Sequence, residues 1–131
     1  MLNRRFFIGA MAAAGALSFS PLAAAMAPQA YSEKAFAAAQ AAGKPILLHV
    51  TAPWCPTCKA QKPILSKLES EPKYKNLVAF DVDFDTSKTL LRKLHVAQQS
   101  TLIVYKGKKE MGRSTGDTDA GSIAALLGKA I

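Results

Sequence analysis

The sequence is poor in residues that bind metals or form disulfides. Its 131 residues include only two cysteines, Cys55 and Cys58, and two single histidines, His49 and His95. A structural zinc site normally needs four ligands, and the cysteines have no second Cys or His pair at ligand spacing. Small secreted proteins that rely on disulfides for stability have many more cysteines. The sequence therefore argues against a structural zinc domain and a disulfide-rich scaffold, so packing must stabilise the fold.

Long basic runs and interleaved aromatic residues are also missing. The formal net charge is +8, but the lysines are scattered, apart from one short basic stretch at residues 106–109. Aromatic residues make up 8% of the chain and are not interleaved with the basic ones. Nucleic-acid-binding surfaces combine clustered positive charge with such aromatic residues. We therefore expect no nucleic-acid partner and interpret the charge as a solvated surface that favours acidic partners.

The two cysteines form a C-x-x-C motif between a strand pattern and a helix pattern. An apolar run at residues 46–50 predicts a buried strand, and apolar residues recur at helical spacing over residues 59–68. Cys55 and Cys58 are therefore expected in the first turn of a helix, where unpaired N–H groups and the helix dipole stabilise a thiolate. A thiolate attacks disulfides, and a second cysteine three residues away can resolve the mixed disulfide. This placement predicts redox chemistry.

Two other interpretations of the cysteine pair stay open. An inert structural disulfide is one, although closing a four-residue loop removes little chain entropy. A soft-metal site is the other, since two thiolates suit Cu(I), alone or in a cluster shared by two copies. Downstream of the first 25 residues only Met26 and Met111 are methionines, too few for a copper-binding methionine cluster. The redox interpretation is preferred, and no metal ligand set is assigned.

The first 25 residues have the pattern of an export signal. A short basic region, Arg4-Arg5, precedes an apolar stretch at residues 6–16, and small residues follow up to Ala25. This order is typical of a secretory signal. Residues 3–8, Asn-Arg-Arg-Phe-Phe-Ile, also resemble the twin-arginine signal, although an ordinary signal can carry two arginines. We expect export to the periplasm with cleavage near Ala25.

The rest of the chain predicts one α/β domain. Residues 26–30 are interpreted as a short tether and residues 31–131 as the domain. Its predicted elements follow in the order α-β-α-β-α-β-β-α: helix 31–42 capped by Ser32, strand 45–51, the cysteine helix, strand 77–82, helix 86–95, strand 101–105, strand 109–114 and a helix capped by Thr118 or Asp119 that runs to about 130. Helices between strands imply parallel pairing, and the last hairpin adds an antiparallel edge. The prediction is a small mixed sheet of about four strands with helices on both faces.

Residues 31–131 resemble the thioredoxin family. The matching features are Trp54-Cys55-Pro56-Thr57-Cys58-Lys59, Pro63 eight residues after Cys55, residues 101–107 (Thr-Leu-Ile-Val-Tyr-Lys-Gly) and Gly116 before the final helix. The resemblance implies a thioredoxin-like fold in which Cys55 is the nucleophile, Cys58 resolves, and the two form the redox-active disulfide. It also implies that Trp54, Pro56 and Thr57 lie where a partner protein binds.

One departure from the family is Ser100, which stands where most members have a cis proline before the Thr-Leu strand. A cis bond before a non-proline residue costs about 2.5–4 kcal/mol, so we expect a trans peptide here. The loop that pairs with a substrate backbone, at Ser100 and Thr101, should then change shape. The Ser100 hydroxyl is expected to face the sulfurs, although a tolerated loop substitution would explain this residue as well.

The other departure is His49, at the position six residues before the first cysteine where thioredoxins have a buried acid. In the family that acid helps move a proton from the resolving thiol. An unperturbed histidine titrates near pH ~6.5, so His49 could accept a proton from Cys58 at neutral pH. A core histidine bonded to backbone is the alternative interpretation.

The sequence thus predicts a periplasmic thiol:disulfide oxidoreductase, most simply a reductase of exported protein disulfides. The resemblance implies a monomer, no cofactor beyond the dithiol, and a membrane thiol carrier as electron donor. Two alternatives stay open, a Cu(I)- or cluster-binding dithiol module and a client-specific redox adaptor.

Overall fold

A computed structural model of the protein describes Gly15 and residues 27–131. The export-signal prediction and the cleavage site near Ala25 lie outside these residues. The strands are β1 (Gln29–Ala30), β2 (Pro45–Thr51), β3 (Val78–Asp83), β4 (Thr101–Lys106) and β5 (Lys109–Thr115). The helices are α1 (Glu33–Ala41), α2 (Pro56–Glu69), α3 (Lys88–Lys93) and α4 (Ala120–Gly128), with a 3-10 turn at Pro72–Tyr74.

The strands form one mixed sheet in the order β1-β3-β2-β4-β5. Strands β1 and β2 run parallel to β3, whereas β4 is antiparallel to β2 and forms a hairpin with β5. The hairpin turns at Gly107, whose φ of 60° is in the left-handed region that glycine adopts without steric cost. The predicted α/β class, with helices on both faces of a mixed sheet, is confirmed.

The predicted number of strands was one too low. Gln29 and Ala30, assigned from sequence to a tether, pair in register with Phe80 and Asp81 as the edge strand β1. Two exposed residues are too few to show a strand periodicity, so only the pairing identifies them.

Helix α3 is shorter than predicted. It covers Lys88–Lys93 instead of residues 86–95. The Asp83 carboxylate accepts hydrogen bonds from the backbone N–H groups of Asp85 and Thr86, which holds these residues in a turn. At the other end, His95 has a φ of 56°, which terminates the helix. The predicted caps Ser32 of α1 and Asp119 of α4 are confirmed, since both side chains accept a backbone N–H bond.

The sheet separates two apolar clusters. One lies between the sheet and helices α2 and α4, and includes Leu47, Leu65 and Ile123. The other lies between the sheet and helices α1 and α3, and includes Leu48, Phe80 and Leu91. Among the residues that the structure describes, no helix has the length and hydropathy required to cross a bilayer.

Candidate active site

The two cysteines lie at the start of α2, directly after the loop that follows β2. Cys55 is the N-cap of the helix, Pro56 occupies its first turn, and the two cysteines form a disulfide. The Cys55 Sγ accepts a hydrogen bond from the backbone N–H of Cys58 at 3.1 Å. The same N–H group will stabilise negative charge on this sulfur after reduction, as the sequence pattern predicted. Proline in the first turn costs no helix hydrogen bond, because the N–H groups there have no partner within the helix, and its fixed φ favours the start of the helix.

Both cysteines are covered by protein in this oxidised state. Cys55 is 1% exposed and Cys58 is fully buried. They form a small apolar cluster with Ala52, and Phe84 packs against it. A partner that exchanges with Cys55 must therefore displace neighbouring side chains to reach its sulfur.

Trp54 is the large apolar side chain exposed beside the disulfide. It is 55% exposed, and its indole N–H donates to Asp85 at 2.9 Å. Its ring contacts Phe84 edge-on with centroids 6.3 Å apart. Pro56 is exposed and Thr57 half-buried on the same loop and helix start. The predicted contact residues Trp54, Pro56 and Thr57 therefore flank the disulfide, and their role in binding stays a prediction.

The loop at Ser100 lies next to the resolving cysteine. The Ser100 N–H donates to the Val50 carbonyl at 2.7 Å, and the Cys58 Sγ lies 3.9 Å from the same oxygen. The described residues contain no cis peptide bond, so the expected trans peptide at Ser100 is confirmed. Its φ of 57° is left-handed, a strained conformation for a residue other than glycine.

The expectation that the Ser100 hydroxyl faces the sulfurs was wrong. Its Oγ donates to the Gln99 carbonyl at 2.6 Å, a local bond to the backbone that a short hydroxyl side chain readily makes. The Thr101 hydroxyl is also engaged, with the Gln98 carbonyl at 2.8 Å and the Thr115 hydroxyl at 3.1 Å. Both hydroxyls stabilise the loop itself.

His49 lies on β2, buried on the sheet face that α2 covers. Its Nε2 is 2.9 Å from the Gln61 Oε1, and its Nδ1 is 3.8 Å from the carboxylate of Asp81. Burial lowers the pKa of His49 from its ordinary value, while the Gln61 bond and the Asp81 charge oppose this effect. His49 is therefore neutral at pH 7 and able to accept a proton. Its direct partner is Gln61, one turn along α2 from Cys58.

Sequence reasoning missed Gln61, which is completely buried. Its amide nitrogen donates to the Ser100 carbonyl at 3.1 Å and to the Asp117 carbonyl at 2.9 Å. A signal was present, because Cys58, Gln61 and Leu65 have the spacing of one helix face. A polar residue on that buried face indicates a polar partner in the core.

No group of three or more His, Cys, Asp or Glu side chains suitable for a metal ion occurs among residues 27–131. At the end of β3, the Asp83 carboxylate stabilises the following turn and the Asp85 carboxylate accepts the Trp54 indole N–H. Cys55 and Cys58 supply two soft sulfur ligands, so the Cu(I) alternative rests on this pair alone.

Sequence comparison places this site in a known family. The thioredoxin family model matches residues 27–129. A thioredoxin of Chlamydia trachomatis is 34% identical over 101 residues, which cover 77% of this chain and 96% of that protein. Thioredoxin-2 of Saccharomyces cerevisiae is 31% identical over 96 residues, covering 72% and 90%.

Structural comparison agrees with the sequence match. The crystal structure of Trxlp from Edwardsiella tarda superposes with a TM-score of 0.75 at 42% identity, covering 77% of this chain and 98% of that one. Spinach chloroplast thioredoxin f, at 24% identity and a TM-score of 0.67, shares the fold. With its C-x-x-C disulfide at the start of α2, the chain belongs to the thioredoxin family and is a thiol–disulfide oxidoreductase.

Proposed function

We propose that this protein is a periplasmic reductase of disulfides in exported proteins. The observation that carries the proposal is the Cys55 sulfur, which accepts the Cys58 N–H at the start of α2. In the reduced protein this contact favours the Cys55 thiolate. The thiolate attacks one sulfur of a client disulfide, a bond forms between Cys55 and the client, and the second client sulfur leaves as a thiolate.

The second step releases the client. Cys58 loses its proton and attacks the Cys55 sulfur, which breaks the mixed disulfide and forms the Cys55–Cys58 disulfide. The departing client sulfur takes up a proton, so the client gains two electrons and the protein loses two. A thiol donor must then reduce the disulfide again, and we assign that role to a membrane thiol carrier.

His49 is the proposed acceptor of the Cys58 proton. Burial keeps the imidazole neutral at pH 7, which is the form that can take up a proton. Protonated His49 would also favour the thiolate form of the nearby cysteines by its positive charge. The exchange itself needs only the two cysteines, and we propose a monomer without a further cofactor or nucleic-acid partner.

The periplasmic assignment rests on the N-terminal pattern. The basic pair Arg4-Arg5, the apolar stretch and the small residues up to Ala25 support export and cleavage, by the twin-arginine route. To test this assignment, the full chain is expressed in cells with a mutation in either the twin-arginine or the Sec export pathway, and the cells are then fractionated. Mature protein must disappear from the periplasm in the twin-arginine mutant alone.

A second candidate function is that of a client-specific redox adaptor. Two observations favour it, namely the covered Cys55 sulfur and the Gln99 carbonyl, which already accepts the Ser100 hydroxyl. A backbone acceptor engaged within its own loop is less available to an incoming peptide strand. An adaptor would cycle between oxidised and reduced states but would reduce generic disulfides such as those of insulin very slowly.

The equilibrium reduction potential of the Cys55–Cys58 pair tests the proposed direction. It is measured in glutathione buffers on protein whose metal content has been determined. A value near the −270 mV of thioredoxins supports a reductase, whereas a value near about −120 mV would make the protein a disulfide donor. Insulin reduction with dithiothreitol then separates the general reductase from the adaptor. Stoichiometric copper in the isolated protein would instead support the metal-binding alternative.

A further inference from the structure

Gln61 connects three chain segments around the disulfide through a single buried amide. Its side chain bonds to His49 on β2, to the carbonyl of Ser100 before β4, and to the carbonyl of Asp117 before α4. All three bonds originate one helical turn after Cys58. Two of these bonds are made to His49 and Ser100, the two positions at which this chain departs from its family.

The bonding pattern fixes which way the amide points. Carbonyl oxygens only accept hydrogen bonds, so the amide nitrogen of Gln61 must face the carbonyls of Ser100 and Asp117. The Oε1 atom therefore faces His49, and since this oxygen only accepts, the His49 Nε2 must carry a hydrogen. In neutral His49 the proton-free nitrogen is then Nδ1.

The surroundings of Nδ1 come from two elements. On β3, the Asp81 carboxylate lies 3.8 Å away. On α2, Lys62 acts on the ring with the opposite sign, and Lys62 and Asp81 line the same cleft of about 280 Å³ as His49. Further along α2 lies the buried Glu69, whose pKa is raised by burial and by the charge of the same Asp81. A proton taken up by His49 therefore arrives on the Asp81 side of the ring.

The network also closes back on the resolving cysteine. The Ser100 carbonyl accepts the Gln61 amide and the Gly116 N–H, while the Ser100 N–H donates to Val50. The Val50 carbonyl is the atom that lies 3.9 Å from the Cys58 sulfur. A change at Cys58 can therefore reach His49 through Val50, Ser100 and Gln61, in direct contacts.

We propose that Gln61 is a positioning residue that holds His49 in the Nε2–H tautomer and connects it to the loop at Ser100. Its functional consequence rests on the proposed role of His49 as proton acceptor. With Nε2 occupied, proton uptake is directed to Nδ1, and the Gln61 bond stabilises the protonated ring. Loss of the amide removes the acceptor for Nε2–H and leaves the Ser100 and Asp117 carbonyls each without one partner.

The test replaces Gln61 by methionine, which has a similar shape and no amide. Long-range ¹H–¹⁵N NMR spectra of His49 are recorded from pH 4 to 8 in the oxidised and reduced protein. In the wild type we expect neutral His49 as the Nε2–H tautomer. In Gln61→Met we expect a shift toward the Nδ1–H tautomer, which can donate to Asp81, and a lower His49 pKa. We also expect about tenfold slower resolution of a mixed disulfide at pH 7, which is the effect of losing one charge-assisted hydrogen bond.

Gln40→Met is the matched control, because Gln40 lies on α1 on the other side of the sheet. It should leave the His49 tautomer, pKa and resolution rate unchanged. If Gln61→Met does not fold, Gln61→Glu replaces it in the test. The glutamate retains an acceptor for Nε2–H and adds a negative charge. We then expect a raised His49 pKa and an unchanged Nε2–H tautomer. A wild-type Nδ1–H tautomer, or unchanged spectra in the Gln61 variant that folds, would overturn the proposal.

The result distinguishes this proposal from the role of His49 itself. If Gln61→Met changes the tautomer while His49→Ala leaves the resolution rate unchanged, Gln61 positions the ring but His49 is not the proton acceptor. If His49→Ala slows resolution while Gln61→Met leaves the tautomer and the rate unchanged, His49 acts without Gln61 and the positioning role is wrong.

Discussion

The two faces of strand β2 differ sharply. Toward α1 and α3 the strand presents Ile46, Leu48 and Val50, all completely buried in an apolar cluster. Toward α2 and α4 it begins with the apolar Leu47 but continues with His49, which is buried and hydrogen-bonded to another side chain. The first face is an ordinary apolar core. The second changes from apolar to polar along the strand as it approaches the disulfide.

The difference separates stability from chemistry. Buried polar groups cost free energy unless they are hydrogen-bonded, so a fold keeps them in its core only with partners. Here His49 on β2 and Gln61 on α2, the helix that begins at the cysteines, partner each other. Substitutions on the α1–α3 face should therefore change the free energy of unfolding, while those on the α2–α4 face near the disulfide should change exchange kinetics or pH dependence.

Cys55→Ser should have the largest effect on activity. It removes the nucleophile, so reduction of client disulfides should fall to the background rate while the fold is retained. Insulin turbidity and circular dichroism measure the two properties. Cys58→Ser is the matched variant, because it keeps the nucleophile and should accumulate a mixed disulfide on a non-reducing gel. Residual turnover by Cys55→Ser would mean that Cys55 is not the attacking residue.

Phe80→Ala tests the opposite face. Phe80 is completely buried, and its ring packs edge-on against Tyr31 and Phe36. Removing a buried aromatic side chain should lower the free energy of unfolding by about 3–5 kcal/mol. Urea denaturation measures this loss, and the reduction potential should stay at the wild-type value. A changed reduction potential with an unchanged free energy of unfolding would contradict the proposed division between the two faces of β2.

Ser100→Pro tests the loop beside Cys58. Proline cannot donate to the Val50 carbonyl and cannot adopt the φ of 57° found at this position. We expect the free energy of unfolding to fall by about 3 kcal/mol, the cost known for a proline in a helix interior, where a backbone hydrogen bond is likewise lost and the ring clashes. Ser100→Ala keeps the N–H and should cost about 1 kcal/mol, the net value of one hydrogen bond. Equal stability of the two variants in urea would show that the Val50 bond does not hold this loop.

Glu69→Gln should have the smallest effect, confined to pH dependence. Burial, together with the charge of Asp81, raises the pKa of Glu69 from 4.5 to about 7. The folded protein then holds a proton that the unfolded chain releases, so the contribution to stability is full below pH 4.5 and is lost as pH rises to about 7. His49 acts oppositely, because its lowered pKa costs stability as pH falls below 6.5.

Urea denaturation at pH 4.5 and 7.5 measures the Glu69 contribution. Relative to the wild type, Glu69→Gln should be equally stable at pH 4.5 and more stable at pH 7.5, because the amide resembles the protonated acid. Glu71→Gln, on an exposed pair with Lys73, is the control and should change little at either pH. If Glu69→Gln and the wild type differ by the same free energy of unfolding at both pH values, the raised pKa of Glu69 is refuted.

Much of this architecture follows from local patterns. The apolar run at Pro45–Thr51 and the capping residues Ser32 and Asp119 predicted their elements because each signal lies within a few residues. The motif around Cys55 gave the position of the disulfide for the same reason. Strand β1 was not predictable in this way, since its register with Phe80 depends on a three-dimensional neighbour. The late start of α3 is different, because the turn that delays it is held by the nearby Asp83 side chain, a local signal that the helical pattern concealed.

The candidate site was only partly predictable for a related reason. His49 was selected from its distance to Cys55, but its partner Gln61 comes from another element and is visible only once α2 lies on the sheet. The Ser100 hydroxyl was assigned to the sulfurs because sequence does not give side-chain direction, whereas in the structure it is bonded to the Gln99 carbonyl. Spacing along the chain thus located the residues, while side-chain direction required the fold.

The most direct test of the account is the rate at which Cys58 resolves a mixed disulfide, measured as a function of pH. Reduced protein is mixed with an aromatic disulfide: attack by Cys55 releases one coloured thiolate and leaves the other in a mixed disulfide, and attack by Cys58 then releases the second. Stopped-flow absorbance records the second release for wild type and His49→Ala. We predict slower release in His49→Ala, by about tenfold or more at pH 7, and loss of the wild-type pH step below 6.5. Identical rates and pH profiles in the two proteins would contradict the claim that the polar face of β2 controls exchange.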